Sequence, residues 1–287
     1  MPDAKKNKIT KFKVKIMNKI LTFLFCILTS LTYSQQKANT KSRFDVADFN
    51  KKFEVAKWLF NYDLVAWWTS DSVMVQNKKD IARLGKEWFC FQDKSEIWHA
   101  VYGKYDREKF DLVFHYTVDK TSKVKRSDNE IDTLILNTYS RALITANNQL
   151  SSLRDTSRIR FNQFIKQNDD RTFTVWILPG FQPDGTAVYG GEFIYTIDHT
   201  GNKLLKADSY FHGNFSGFKV DKSQDVVMNY RDKDKPTLGS VFFVWYYKQY
   251  FKNISIDNAK SKSTVVRNKD NSYSWVHTDK EAGNKIK

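Results

Sequence analysis

The stretch Glu87–Asp119, EWFCFQDKSEIWHAVYGKYDREKFDLVFHYTVD, decides the fold. It holds three apolar runs of strand length, Glu87–Gln92, Ile97–Tyr105 and Phe110–Val118, and the charged quartet Asp106-Arg107-Glu108-Lys109 separates the last two. Short β-rich runs joined by polar breaks read as an antiparallel meander. In the third run Phe110, Leu112, Phe114, Tyr116 and Val118 are predicted to share one face, with Asp111, His115, Thr117 and Asp119 on a solvated one. A symmetric turn at Asp106–Lys109 sets His99 across from Tyr116, on the face opposite His115, so the two imidazoles do not share a metal. Only a one-residue slip would bring them together, and it would reverse the buried face.

Upstream, Val46, Phe49, Phe53, Ala56, Phe60, Leu64 and Trp67 fall in steps of three and four, the period of a helix laid against a core. Phe44, Tyr62 and Trp68 widen that stripe, which raises docking as the alternative to packing. Downstream, Ser127 and Glu130 have capping-box spacing and predict a helix start there. Ile131, Leu134, Ile135, Tyr139, Ala142, Leu143, Ala146 and Leu150 then form its apolar face. A second strand region follows at Thr172–Leu178, Glu192–Asp198 and Lys203–His212, with Asp198–Asn202 as a hairpin turn. Asp225–Tyr230 and Tyr273–Val276 read as further strands. Leu238–Phe251 is apolar nearly all round and follows Pro236; it reads as a helix, with a buried strand as the alternative. The class is α+β, with antiparallel sheet packed by two or three helices.

Residues 17–34, MNKILTFLFCILTSLTYS, read as an export signal: a short basic start, an apolar run too short to span a bilayer, and a small-residue exit. Met17 reads as the start, with residues 1–16 upstream of it. Cys26 lacks the small preceding residue and polar mature start that lipidation needs. The expected organisation is a signal over 1–34, a polar linker over 35–43, one α+β domain over 44–278 and a frayed tail over 279–287. The expected location is secreted or periplasmic, without a transmembrane segment after cleavage. The 287 residues carry 47 Lys and Arg against 32 Asp and Glu, a net charge of +15. Removing residues 1–34 takes away seven lysines and one aspartate and leaves +9. Scattered basic charge favours a solubilising surface or contact with an anionic cell-surface polymer. With Cys26 gone, Cys90 stands alone in an apolar strand, where a thiol behaves as a small hydrophobe.

The chemistry-bearing residues are sparse. The five histidines show neither HExxH nor HxH spacing, the glycines do not form a phosphate loop, and there is no nucleic-acid motif, so no metal and no cofactor are expected. The candidate binding segment is Pro179–Glu192, PGFQPDGTAVYGGE, read as an irregular loop between two strands. Its candidate ligand-contacting residues are Gly180, Asp184, Tyr189, Gly190 and Gly191. Glu192 and His212 fall near each other if the following hairpin closes, which makes them candidate catalytic groups of a secreted hydrolase. With no nucleophile in view, the expectation is a non-enzymatic binding or accessory protein of a bacterial envelope. The other alternative is a glycan binder with aromatic platforms, drawing on eight Trp and fourteen Tyr.

Overall fold

The first meander forms as an antiparallel ladder of β1 (Glu87–Gln92), β2 (Trp98–Asp106) and β3 (Lys109–Val118), extended by β4 (Val124–Arg126). These elements belong to a computed structural model that describes residues 44–280; the leader with Cys26, the 35–43 linker and residues 281–287 lie outside it. Near the turn the register is symmetric, with Asp106 opposite Lys109 and Gly103 opposite Leu112. It then shifts, and Tyr102 pairs with Phe114. The extra residue, Val113, is a β-bulge, and a bulge moves every later side chain to the other face.

This corrects the predicted faces of β3. Phe110 and Leu112 enter one core, whereas Phe114, Tyr116 and Val118 enter another on the opposite side of the sheet. His99 lies opposite Thr117, not Tyr116, and shares its face with His115, which is buried and not solvated. The sheet is therefore covered on both faces. Phe89 and Val101 point into the same core as Phe110, and Cys90, Ala100 and Tyr102 into the other.

A second sheet has the order β5 (Phe161–Gln167), β6 (Phe173–Pro179), β7 (Thr186–Ile197), β8 (Leu204–Lys219), all antiparallel. The third runs β12 (Tyr273–Asp279), β11 (Ser261–Arg267), β10 (Asn253–Asn258), β9 (Asp225–Tyr230). Its β9–β10 pair is parallel, the one departure from antiparallel pairing among the described residues. A parallel pair needs a crossover, and Leu238–Phe251 supplies it: Leu238–Tyr247 is helix α5, capped by Thr237 Oγ1 accepting from Ser240 N–H. The helical reading of that run holds as far as Tyr247.

Helix α1 (Val46–Met74) runs a further two turns beyond its predicted end. Its buried line is Phe49, Ala56, Leu59, Tyr62, Val65, Ala66 and Val73, while Trp67, assigned to the core stripe, is 57% exposed. A four-residue helix α2 (Lys78–Ile81) leads into β1. The capping box at Ser127 is not used for a helix. Ser127 Oγ accepts from Asn129 N–H, and helix α3 (Thr133–Asn148) starts later, with Asp132 accepting from Leu134 N–H. The buried face keeps the expected Tyr139, Ala142, Leu143 and Ala146 and adds Leu136, while Leu134 and Ile135, in the first turn, are exposed. Leu150 stays buried, but on the break before a short helix α4 (Ser151–Ser157).

The β7–β8 turn docks on α3: Arg141 Nε donates to Thr200 O and Thr145 Oγ1 to Gly201 O, each at 2.8 Å. Gly201 has φ +80°, and a Cβ there would sit 2.5 Å from Thr138 O. Gly185, at φ +77°, faces open space. Gly185→Ala should therefore lose only about 1–2 kcal/mol of unfolding free energy from left-handed strain. Gly201→Ala should lose on the order of 1–3 kcal/mol more because helix backbone blocks the methyl. Urea denaturation of the two variants checks the order.

Candidate functional site

The candidate catalytic pair is built into the structure in separate roles. Glu192 lies on β7 opposite Tyr210 of β8 and is 8% exposed. Its carboxylate accepts from Gly239 N–H and hydrogen-bonds the Thr237 side chain, so it occupies the N-terminus of α5, where orphan amides and the helix dipole favour an anion. Burial raises its pKa, and those two hydrogen bonds oppose the rise. His212 turns to other partners. Tyr210 Oη donates to Asp232 Oδ2 at 2.5 Å, and with that proton committed, His212 Nε2 is the donor to Tyr210 Oη at 3.3 Å. Among the described residues no hydrogen bond joins Glu192 to His212.

The glycine-rich segment is mostly strand, which corrects its reading as a loop. Only Gly180–Gly185 forms the connection, and Thr186–Glu192 belongs to β7. Gly180 packs against Asn162, and Asp184 pairs with Lys219 at 2.7 Å. Tyr189 stacks on Phe218 with centroids 5.6 Å apart. Gly190 (φ +110°) and Gly191 accommodate a register shift in which Tyr189 pairs with Ser216 but Gly191 with Phe211. The two glycines border a cavity of about 10 Å³, a volume that admits one water and no larger ligand.

The bulge in β3 assembles a polar chain. His99 Nδ1 lies 2.9 Å from His115 Nε2, His115 Nδ1 is 3.2 Å from Asn129 O, and His99 Nε2 is 3.4 Å from Asp93 Oδ2. Burial, then the neighbouring His99, lowers the His115 pKa. The facing nitrogens are bonded to each other, and among the described residues no cluster of three or more His, Cys, Asp or Glu is placed to hold a metal. Cys90 is fully buried with its pKa pushed up by desolvation, and its N–H donates to Tyr62 Oη. A buried neutral thiol is a poor nucleophile.

Space for a ligand lies along α1. Trp58 and Trp176, on α1 and β6, meet at 5.8 Å between centroids with planes inclined by 48°, and they flank an open groove of about 580 Å³. Trp176 is its buried floor and Trp58 a half-buried wall, with the Lys166 ammonium 5.6 Å from the Trp58 ring. Asn61 and the Lys57–Glu54 ion pair (2.8 Å) supply polar groups at the edge, whereas the Asn168 amide there is bonded to the Thr172 and Thr174 hydroxyls. On the other flank of α1, Phe60, Trp67, Phe181, Tyr246 and Tyr250 border a more apolar hollow of about 360 Å³. Sequence reasoning missed Trp58, which falls outside the predicted α1 stripe and outside Phe44, Tyr62 and Trp68, the residues that widened it. Its partner Trp176 carried no signal, because a strand tryptophan reads as core.

The residue that fixes α1 beside these grooves is Asp63, 5% exposed. Its Oδ1 accepts from Asn162 Nδ2 at 3.0 Å and its Oδ2 from Tyr246 Oη at 2.6 Å. Burial raises its pKa from 3.8 to about 6 against the opposing Tyr246 hydrogen bond. The folded chain therefore holds this proton more tightly than the unfolded one. The associated stability is complete below the ordinary carboxylate pKa and is lost as pH rises through about 6. Asp63→Asn removes that loss, so its stability relative to wild type should rise by about 2 kcal/mol between about pH 4 and pH 7. Urea denaturation across that range, compared between the two proteins, checks it.

No protein-family model, no curated protein and no solved structure matches this chain.

Proposed function

We propose that the chain is an exported, non-enzymatic binding protein of a bacterial envelope, and that its ligand is a neutral glycan held in the Trp58–Trp176 groove. The observation that carries this reading is the groove itself: two indoles at an angle, with the Asn61 amide and an ion pair at the rim. A pyranose presents an apolar C–H face and a rim of hydroxyls. An aromatic wall suits the first, and planar amides and charged groups suit the second. The aromatic surface is an angled trough, not a flat platform.

Charge separates the two partners expected from composition. The excess of basic residues argues for an anionic polymer, but in this groove Lys57 is matched by Glu54, leaving Lys166 as the one cation without an ion pair among the lining residues. One lysine set against the Trp58 ring is not the cluster of cations that holds an anionic polymer, so the aromatic walls and not charge select the ligand. The hydrolase reading has less support, since Glu192 is held at the start of α5 and Cys90 is sealed. Export and envelope residence rest on residues 17–34. Among the described residues no helix is long and apolar enough to cross a membrane.

Isothermal titration of the mature chain with soluble β-glucan, mannan and chitin fragments tests the proposal. At least one should bind, and Trp58→Ala should weaken it tenfold or more, about 1.4 kcal/mol. Asn61→Ala, at an exposed helix position, should weaken it without altering the circular dichroism spectrum. Binding that survives both substitutions, or no binding to any of the three, would reject the site.

A further inference from the structure

The Trp58–Trp176 groove does not end at Asn61. A second hollow, of about 290 Å³, begins at the same residue and continues along the same flank of α1 past Leu64 and Val65 to Trp68, with Trp98 and Val118 opposite. Residues 54, 58, 61, 65 and 68 follow the helical period, so they form one line down one side of the helix, with Val65 buried at its floor. From Glu54 to Trp68 that line is about 21 Å long at 1.5 Å per residue. Trp58 and Trp98 lie 5.4 Å apart between centroids, so the aromatic lining is continuous across the junction. Asn61 is exposed there, and among the described residues its amide has no hydrogen-bond partner.

In the second hollow Lys120 binds Glu96 at 2.5 Å, and the Asp119 carboxylate accepts from the Thr121 hydroxyl and from the Thr121 and Lys123 N–H groups. Both sections thus offer aromatic faces, and the one cation and one carboxylate without an ion pair among their lining residues, Lys166 and Asp119, offset each other along the line. A single sugar would occupy one section and leave the other empty.

Resting on the carbohydrate reading above, we infer that the ligand is a neutral polysaccharide chain that lies along α1 and crosses from the Trp176 section to the Trp98 section at Asn61. The Asn61 amide meets the chain at the crossing. Chain length, not the identity of one terminal sugar, then sets the affinity.

The test is calorimetric titration with cello-oligosaccharides and chito-oligosaccharides from disaccharide to hexasaccharide. For the series that binds, the hexasaccharide should bind at least tenfold more tightly than the disaccharide. Gln92→Trp, at an exposed position that lines only the second hollow, should erase that gain and leave disaccharide affinity within about twofold of wild type; Lys120→Trp, exposed in the same hollow, is the second plug should the first perturb folding. Equal affinity for short and long oligosaccharides, or a length gain that survives both plugs, overturns the inference and leaves the one-groove site standing. If neither series binds wild type, the carbohydrate reading falls. Capture of an extended peptide in the same trough, again blocked by Gln92→Trp, would assign the trough to protein ligands and overturn both.

Discussion

Two consecutive residues of α1, Tyr62 and Asp63, hold the helix in place, and the rest of the architecture depends on that grip. Tyr62 Oη accepts the Cys90 N–H from the first sheet, and Asp63 takes one hydrogen bond from Asn162 on the second sheet and one from Tyr246 on α5. Both side chains are buried, so each missing partner would leave an unsatisfied polar group at a cost of about 1–3 kcal/mol. Thr69 adds a third tie, with Oγ1 2.7 Å from Tyr102 Oη. The inward face of α1 is thus fixed against three elements, and its outward flank becomes a stationary wall. A carboxylate kept in that position without a cation costs stability near neutral pH, which is a reason to look for its use in the surface it positions.

The second organising feature is that the first sheet is sandwiched. One of its faces packs with α1 and the other with α3, where Tyr139 stacks on Phe89 at 5.0 Å. A regular β3 would have placed all its large residues on one side. The bulge at Val113 gives Phe110 and Leu112 to the α3 side and Phe114, Tyr116 and Val118 to the α1 side. The same step moves His115 under the sheet beside His99, so the histidine pair follows from how the strand divides its apolar residues between two cores.

The sequence made the long elements legible where periodicity was strong. The meander, α1, the body of α3, the Asp198–Asn202 turn and the α5 helix all follow from spacing and turn chemistry. What it did not reveal has physical causes. The Val113 bulge leaves alternation intact in the letters while reversing it in space. Ser127 and Glu130 have capping spacing, but Asp132 caps closer to the helix that packs. β5, FNQFIKQ, buries the adjacent Phe164 and Ile165 on opposite faces, so it shows no alternation. β10 and β11 are buried partly through Ser255, Asp257, Asn258 and Ser263, polar residues that a core search passes over. The candidate groove was not legible in the sequence, because Trp58 stands off the apolar stripe of α1 and the aromatics that widen that stripe line other surfaces. Trp176 comes from a strand more than a hundred residues away, and proximity of that kind is set by the fold. The glycine-rich stretch misled because Gly190 and Gly191 serve a register shift within a strand.

The account's central claim is that the outward flank of α1, between Trp58 and Trp68, is where ligand lies. The most direct measurement follows the indole N–H resonances of the eight tryptophans during titration with a neutral hexasaccharide. Shifts at Trp58, Trp98 and Trp176, with Trp67 and Trp275 unmoved, are the predicted result. Saturable shifts centred on Trp67, or on the His212–Tyr210 region with the α1 flank silent, would contradict it.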